Sequence, residues 1–191
     1  QRVENAVVQL NNDTAWQTDT TKVPGFIGEQ QMKEFKDSIM ELRPACKDNM
    51  QVINDLMANY QRLEDMNNES KKARTSAIRM KPEVMDGAAA EPLKQAAAAE
   101  LERTNPGIVI LKIVVTRAWE DRFEEGWEDN TKTKWVKRHF RDATVQIAVK
   151  QTDGNYRLFS MNIDETKTPG GAYVNIKSHI LYSDAIDPEN I

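Results

Sequence analysis

The sequence has few of the residues that build disulfide frameworks and metal centres. It contains one cysteine, Cys46, and two histidines among 191 residues. A single cysteine excludes an intramolecular disulfide and a zinc site made of several thiolates. The histidines, His139 and His179, lie in strand-like segments and lack the HExxH spacing of zinc enzymes. We therefore predict that the chain has no metal ion and no cofactor.

Long apolar runs and clusters of positive charge are also missing. No window approaches the roughly eighteen consecutive apolar residues of a membrane-spanning helix. The net charge is -4, from 26 basic and 30 acidic residues, and neither half of the chain is a polybasic arm. Because nucleic acids and anionic membranes bind clustered cations, this distribution favours neither as a partner. The apolar fraction of 39% and the charged fraction of 29% indicate a folded protein.

The sequence shows no assembled catalytic nucleophile. Ser160, Ser178 and Ser183 stand outside any G-x-S-x-G motif, and the chain has no glycine-rich phosphate-binding loop. We therefore predict no catalytic residues.

The first ten residues have the spacing of an amphipathic helix. Val3, Ala6, Val7 and Leu10 recur at helical intervals, and the chain starts at Gln1 rather than at a methionine. We hypothesise that a signal peptide, a lipid anchor or a transmembrane segment preceded this position. On that hypothesis the protein is periplasmic, exposed at the cell surface or secreted.

Residues 29 to 72 carry a heptad pattern that predicts helices. Pro44 interrupts the pattern, because proline removes an amide donor and clashes with the preceding turn. We expect two helices, at about residues 29 to 42 and 45 to 72, in a helical region that spans residues 1 to 86. The apolar heptad positions are Met32, Phe35, Ile39, Leu42, Cys46, Ile53, Leu56, Tyr60 and Leu63. They either pack within one chain as a helical hairpin or form a coiled coil with a partner chain.

Residues 87 to 191 begin with a predicted helix and continue with strand periodicity. The helix is expected at about residues 88 to 104, and its narrow face consists of Leu93, Ala96, Ala97 and Leu101. An apolar run at residues 108 to 115 predicts the first strand. Alternation at residues 143 to 149 and 156 to 163, around a Thr-Asp-Gly-Asn turn, predicts a hairpin. The last strand carries Val174, Ile176, Ile180 and Tyr182.

Together these patterns predict an α+β fold. A helical, coiled-coil-like region comes first, and a helix packed on a four-stranded antiparallel meander sheet follows. The predicted boundary between the two domains lies between residues 86 and 87.

The charge reverses its sign in the middle of the second domain. Residues 119 to 130 hold six acids and one arginine, whereas residues 131 to 141 hold five bases and no acid. We expect the two runs to face each other across a hairpin, where opposite charges on paired strands attract. This requires the strand before Trp119 to pair with the strand that contains Arg141. The alternative is a divalent-cation site made by the acids, although the spacing of a calcium-binding loop is missing.

Four aromatic residues are interleaved with these charges and are the candidate binding residues. They are Trp119, Phe123, Trp127 and Trp135. The spacing of the first three suits a stripe on a helix and also one face of a strand. Such rings either pack at the edge of the core or anchor a protein interface.

The order of elements at about residues 88 to 185 resembles cystatin-like and NTF2-like small domains. A helical segment before a small α+β domain is also similar in organisation to the periplasmic parts of bacterial envelope assembly proteins. The second likeness implies a non-enzymatic protein-binding or assembly module that acts outside the cytoplasm. It would bind a partner protein through its helices or its aromatic hairpin, or a second copy through its helical region.

The first likeness implies the alternative function. A curved sheet and its helix would enclose a pocket for a small apolar ligand, with or without catalysis. A polar residue such as His139, Asp142 or Asn162 pointing into an apolar cavity would favour that alternative.

Overall fold

The computed structural model describes residue 5 and residues 24–127 and 131–191. The helix predicted for residues 1 to 10 lies, apart from Asn5, outside the described residues. The chain divides into two compact units, residues 1–78 and residues 79–191. No helix in the described part of the chain combines the length and the apolar character needed to cross a membrane.

Two helices form the described part of the first unit. Helix α1 spans Glu29–Leu42 and helix α2 spans Met50–Ala77. The predicted break at Pro44 is confirmed, but α2 begins five residues later than residue 45 and ends beyond residue 72. The reason is a turn over residues 43–48, in which Ala45 and Cys46 donate backbone hydrogen bonds to the Leu42 carbonyl. These bonds close the end of α1 before α2 begins.

The heptad residues of α1 and α2 pack against each other. Met32, Phe35 and Ile39 of α1 form one buried cluster with Tyr60 and Leu63 of α2. Leu42 instead remains 47% exposed at the end of α1. Most of the apolar stripe is therefore used inside a helical hairpin, because the two helices bury each other's apolar faces.

A buried asparagine holds the chain before α1 against α2. The side chain of Asn67 accepts a hydrogen bond from the Ile27 amide at 2.6 Å and donates one to the Ile27 carbonyl at 3.0 Å. Asn67 is only 2% exposed. A buried amide is tolerated here because both of its polar ends have backbone partners.

The second unit is an α+β domain, as the sequence predicts. Helix α3 spans Gly87–Thr104. Four antiparallel strands follow in the order β1-β2-β3-β4. They are β1 (Val109–Trp127), β2 (Trp135–Lys150), β3 (Tyr156–Lys167) and β4 (Tyr173–Ala185). The first strand is much longer than the predicted one, because the charged and aromatic segment after Val115 continues as strand.

One face of the sheet, called here the front face, carries the core under α3. The helix contributes Ala90, Leu93, Ala97 and Leu101, which are completely buried. The sheet contributes an apolar set that alternates along each strand: Val115, Val145, Ile147, Val149, Phe159, Met161 and Ile163. The small alanine side chains allow the helix to lie close to the strands. The opposite face is called the rear face.

Residues 79–86 belong to the sheet unit by their contacts. The Lys81 amide donates a hydrogen bond to Oε1 of buried Gln146, and the Val84 amide donates one to the Val115 carbonyl. Met85 pairs with Val115 and packs against the core under α3. This segment therefore satisfies a buried polar group and forms an isolated bridge with β1.

We predict that Asn67→Leu destabilises the helical hairpin by about 2 kcal/mol, because both polar groups of Ile27 lose their buried partner. The measurement is urea unfolding followed by the helical circular dichroism signal. Asn68→Leu is the matched control, since Asn68 is exposed on the next position of the same helix. Equal stability of the two variants would contradict the assigned role of Asn67.

Candidate functional site

The β1–β2 hairpin extends beyond the rest of the sheet as a two-stranded arm. The pairing of β1 with β2 continues to Trp127 and Trp135, whereas β3 pairs with β2 only from Phe140 onward. Residues 123–127 and 135–139, called here the arm, therefore pair with each other and have no third strand among the described residues. A two-stranded ribbon without a second layer has little stability of its own.

Opposite charges face each other across the arm. Glu124 pairs with Arg138 and Glu125 pairs with Lys137 in the antiparallel register. The Lys137 ammonium lies 3.2 Å from a Glu125 carboxylate oxygen. The predicted charge pairing across a hairpin is confirmed for these residues. Glu128 and Asp129, which belong to the same acidic run, lie outside the described residues.

The front face of the arm carries two pairs of rings. Trp127 and Trp135 meet edge to face with 5.2 Å between ring centroids, and Phe123 meets His139 in the same way at 4.6 Å. The Glu125 and Lys137 pair lies between these two rows. Phe123, Trp127 and Trp135 are 52%, 48% and 49% exposed. Three of the four candidate binding residues thus share one exposed surface.

Trp119 lies apart from these three at the root of the arm. It packs against the edge of the core, and the Arg141 guanidinium lies over its ring at 4.4 Å. The same guanidinium lies 4.2 Å from the Tyr173 ring, and its Nη2 contacts a Glu165 oxygen at 2.6 Å. Tyr173 in turn donates a hydrogen bond to Asp121, which raises the pKa of the phenol. Arg141 therefore connects the root of the arm to β3 and to the start of β4.

The rear face of the root carries a second polar cluster, around Asp142. Its carboxylate accepts hydrogen bonds from Arg117 at 2.7 Å and from Arg122 at 3.0 Å. Burial acts to raise the pKa of Asp142, but the hydrogen bonds and charges of the two arginines outweigh it and lower the pKa. Arg117 also donates to Thr144 at 3.1 Å and to Glu120 at 2.8 Å. The Arg117 guanidinium therefore donates its hydrogen bonds to side chains of the same chain.

No sequence pattern identifies several residues of these clusters. Arg117, Glu165 and Tyr173 lie far apart along the chain, and only the strand register brings them to the root of the arm. Sequence periodicity shows which residues of one strand share a face. It does not show which residue of the adjacent strand lies beside each of them.

The three polar residues considered for a ligand cavity do not converge on one point. His139 packs against Phe123 on the front face of the arm, whereas Asp142 and Asn162 lie near Arg117 on the rear face. The other histidine, His179, contacts Asp164 at 3.2 Å. Within the described ranges, no group of three or more metal-ligating side chains is placed to hold a metal ion.

Two grooves on the described surface are open and have charged walls. One of about 470 Å³ follows the arm and includes Glu124 and Arg138. Another, of about 540 Å³, lies between α3 and β4 and includes Glu100 and Arg103. Charged, open walls suit a contact with another polar surface better than the enclosure of an apolar ligand.

Comparison of the chain with protein-family models, with curated proteins and with solved structures gives no match.

We predict that Asp142→Asn lowers the free energy of unfolding by about 2 kcal/mol at neutral pH, because two charge-assisted hydrogen bonds are weakened. Because the pKa of Asp142 is lower in the folded protein than in the unfolded chain, where it is near 4, the ionised carboxylate stabilises the fold at neutral pH. This stabilisation is lost as the pH falls through the folded-state pKa. The difference from wild type should therefore shrink in acid. Urea unfolding at pH 7 and pH 3 measures it.

Asp86→Asn is the control for this experiment, because Asp86 is exposed in the same unit and its side chain makes no capping hydrogen bond to α3. It should give a small difference at both pH values. An Asp142→Asn effect that stayed constant with pH would show that its cause is not the carboxylate charge.

We also predict that Glu124→Gln with Glu125→Gln reduces stability slightly in low salt, and that the loss shrinks at about 1 M salt. Exposed ion pairs contribute little and are screened by ions. Urea unfolding in the two buffers measures the loss, and Glu41→Gln with Glu102→Gln is the control pair on exposed helix positions. A wild type that gained stability with calcium, and a variant that did not, would instead indicate a cation site.

Proposed function

We propose that the protein is a non-enzymatic protein-binding or assembly module whose binding surface is the front face of the arm. The observation that carries the proposal is the half-exposed set of Phe123, Trp127 and Trp135 on a ribbon that no layer of the described residues covers. Large aromatic side chains are enriched among the residues that dominate binding energy in protein interfaces. An arm of this kind gains stability when a partner covers its rings.

The composition of the arm suits an interface better than a core. Glu125 and Lys137 separate the two ring pairs and keep the face partly polar. Interfaces of proteins that also exist free in solution are about as polar as the rest of the protein surface. A face of this composition stays soluble alone and still offers apolar area to a partner.

The end of the helical hairpin is a second contact surface in this proposal. Met40, Leu42, Met50 and Val52 are between 36% and 47% exposed there. The heptad residues of the hairpin interior are already buried within the chain. Association through the helical region would therefore use this end, because most of the stripe that a coiled coil needs is already buried within the chain.

The proposed setting is the cell envelope or the exterior, as the sequence organisation suggests. A cystatin-like or NTF2-like pocket for an apolar ligand is the alternative. It has less support, because α3 covers the apolar residues of the front face and the polar candidates lie on opposite faces.

The test compares proteins retained from an extract of the source cells by the wild-type chain and by a Trp127→Ala, Trp135→Ala variant. We expect the variant to lose proteins that wild type retains, as quantified by mass spectrometry. The control is Phe26→Ala with Tyr182→Ala, which removes rings of similar exposure, 46% and 54%, outside the arm. Equal retention by the tryptophan variant and wild type would contradict a binding role for the arm.

A further inference from the structure

We propose that the outer edge of β4 pairs with the same edge of a second copy of this chain, so that two four-stranded sheets join into one of eight strands. This inference goes beyond the proposed function, because β4 lies at the other side of the sheet from β1 and the arm. The pairing segment is residues 176–185, called here the edge segment. Its backbone direction, its symmetry and its charges support the proposal.

The edge segment belongs to an outer strand with exposed apolar side chains. In the order β1-β2-β3-β4, the described residues give β4 one neighbouring strand, β3. Four apolar or aromatic residues are between 37% and 55% exposed: Ile176, Ile180, Leu181 and Tyr182. An outer strand of this length and character is a template for pairing with another strand.

Part of the backbone of the edge segment points away from β3. The Ile186 amide donates a hydrogen bond to the Tyr156 carbonyl, which fixes the direction of every second residue before it. Ser183 therefore points its amide and carbonyl groups outward. Every second residue of β3 counted from Tyr156 faces β4, and Ser178 pairs with a residue of the other set, so that its backbone groups also point outward. An added strand can bind these groups.

A β-bulge makes the edge segment symmetric. Ser160 and Met161 of β3 pair with Tyr182 and Ile180, which leaves Leu181 as an extra residue of β4. The extra residue shifts the alternation of faces. Residues 177, 179, 182 and 184 therefore lie on the rear face, and residues 176, 178, 183 and 185 lie on the front face. This pattern reads the same in both directions from the bond between Ile180 and Leu181.

A two-fold axis through that bond brings two copies together in one register. The opposed pairs are Ser178 with Ser183, His179 with Tyr182, and Lys177 with Asp184 of the other copy. The members of each pair share a face, as antiparallel pairing requires. Without the bulge, an axis between two residues would place opposite faces beside each other. The outward backbone groups of Ser178 and Ser183 then meet as a hydrogen-bonded pair on each side of the axis.

Charge distinguishes this register from its nearest alternative. An axis through Ser178 would also match the faces, but it would place Lys177 beside His179 of the other copy and form no pair of opposite charges. The proposed register instead places Lys177 beside Asp184 twice. Lys177 is exposed, and the Asp164 carboxylate beside it in its own sheet contacts His179 at 3.2 Å. Opposite charges on paired strands attract, so they favour the proposed register.

The pairing also offers a partner to a buried hydroxyl group. The Ser178 Oγ is buried and has no hydrogen-bond partner among the described residues. Ser183 of the other copy lies opposite on the same face, and rotation about the χ1 angle of Ser178 turns its hydroxyl toward that residue. Hydrogen bonds between hydroxyl groups of opposed residues stabilise paired strands.

The position of α3 leaves room for a second copy at this edge. Ile147 of β2 and Met161 of β3 are completely buried under the helix, whereas Ile176 and Ile180 of β4 are 39% and 37% exposed. An open groove of about 540 Å³ lies between α3 and β4. The two-fold axis is perpendicular to the sheet, so each helix stays over its own half of the common front face. The two grooves, rather than the two helices, therefore meet at the axis.

The first experiment is sedimentation equilibrium of the full chain from micromolar to millimolar concentration. We expect a monomer to dimer transition for wild type. Ser183→Pro should dimerise at least about tenfold more weakly, because proline removes the outward amide and its two hydrogen bonds per dimer. The same proline leaves the hydrogen bonds to β3 in place, since an outward amide is not part of them. Circular dichroism verifies that the variant remains folded.

The matched control is Trp127→Ala with Trp135→Ala, which changes the arm and leaves the edge segment intact. It should dimerise as wild type does. Loss of dimerisation in this variant would place the contact on the arm and overturn the proposal.

The second experiment uses two charge reversals, Lys177→Glu and Asp184→Lys. Each variant alone places like charges opposite each other and should dimerise more weakly than wild type. An equimolar mixture should recover a heterodimer, because every opposed pair again has opposite charges. A mixture that stays monomeric, while both variants are folded and wild type dimerises, would contradict the assigned register.

Disulfide trapping in a Cys46→Ser background tests the register directly. His179 and Tyr182 of the two copies form a non-hydrogen-bonded pair, with about 4.5 Å between Cα atoms, which suits a disulfide. A mixture of His179→Cys and Tyr182→Cys chains should therefore cross-link under mild oxidation much more than Ser178→Cys chains alone. The reverse order of yields would instead indicate the axis through Ser178.

The outcomes separate this inference from the proposed function. A wild type that stays monomeric throughout, or a folded Ser183→Pro variant that dimerises as wild type does, would overturn pairing through the edge segment. Neither result bears on the arm, whose binding role is measured by the retention of other proteins from the extract.

Discussion

The antiparallel register between β1 and β2 is the constraint on which the rest of the second unit depends. The pairing places Val115 beside Val145 in the core and, after two register shifts between Val115 and Glu120, Glu125 beside Lys137 in the arm. Because side chains alternate between the faces of a strand, a slip of one residue would move both sets to the wrong face. Apolar burial specifies the register at one end of the hairpin, and charge pairing agrees with it at the other.

Side-chain contacts stabilise the root of the arm on both faces. On the front face, Arg141 lies between the rings of Trp119 and Tyr173 and also contacts Glu165. On the rear face, Asp142 accepts hydrogen bonds from two arginines of β1. Arg141 thus connects the hairpin to β3 and β4, whereas Asp142 connects the two strands of the hairpin to each other. This explains how a ribbon with few stabilising contacts of its own can project from the domain in a defined direction.

The division between core and arm follows from where α3 ends its contact with the sheet. Under the helix the front face is made of aliphatic residues such as Ile147 and Met161, which are fully buried. Beyond the helix the same face changes to aromatic and charged residues, which tolerate water while retaining apolar area. The surface proposed for binding is therefore the continuation of the core face past its cover. Its chemistry differs because no layer of the described chain covers it.

Several elements can be predicted from the sequence, because neighbouring residues along the chain specify them. The break at Pro44, the alanine-rich helix, the hairpin around Gly154 and the α+β class all follow from local periodicity and turn chemistry. The change from acidic to basic residues also predicted that the two charged segments pair as strands of one hairpin. Tertiary structure alone decided that β1 continues to Trp127 and that Trp119 is separated from the other rings. It also decided that Tyr173 meets Arg141, because contacts between distant strands depend on register, which is a property of the whole sheet.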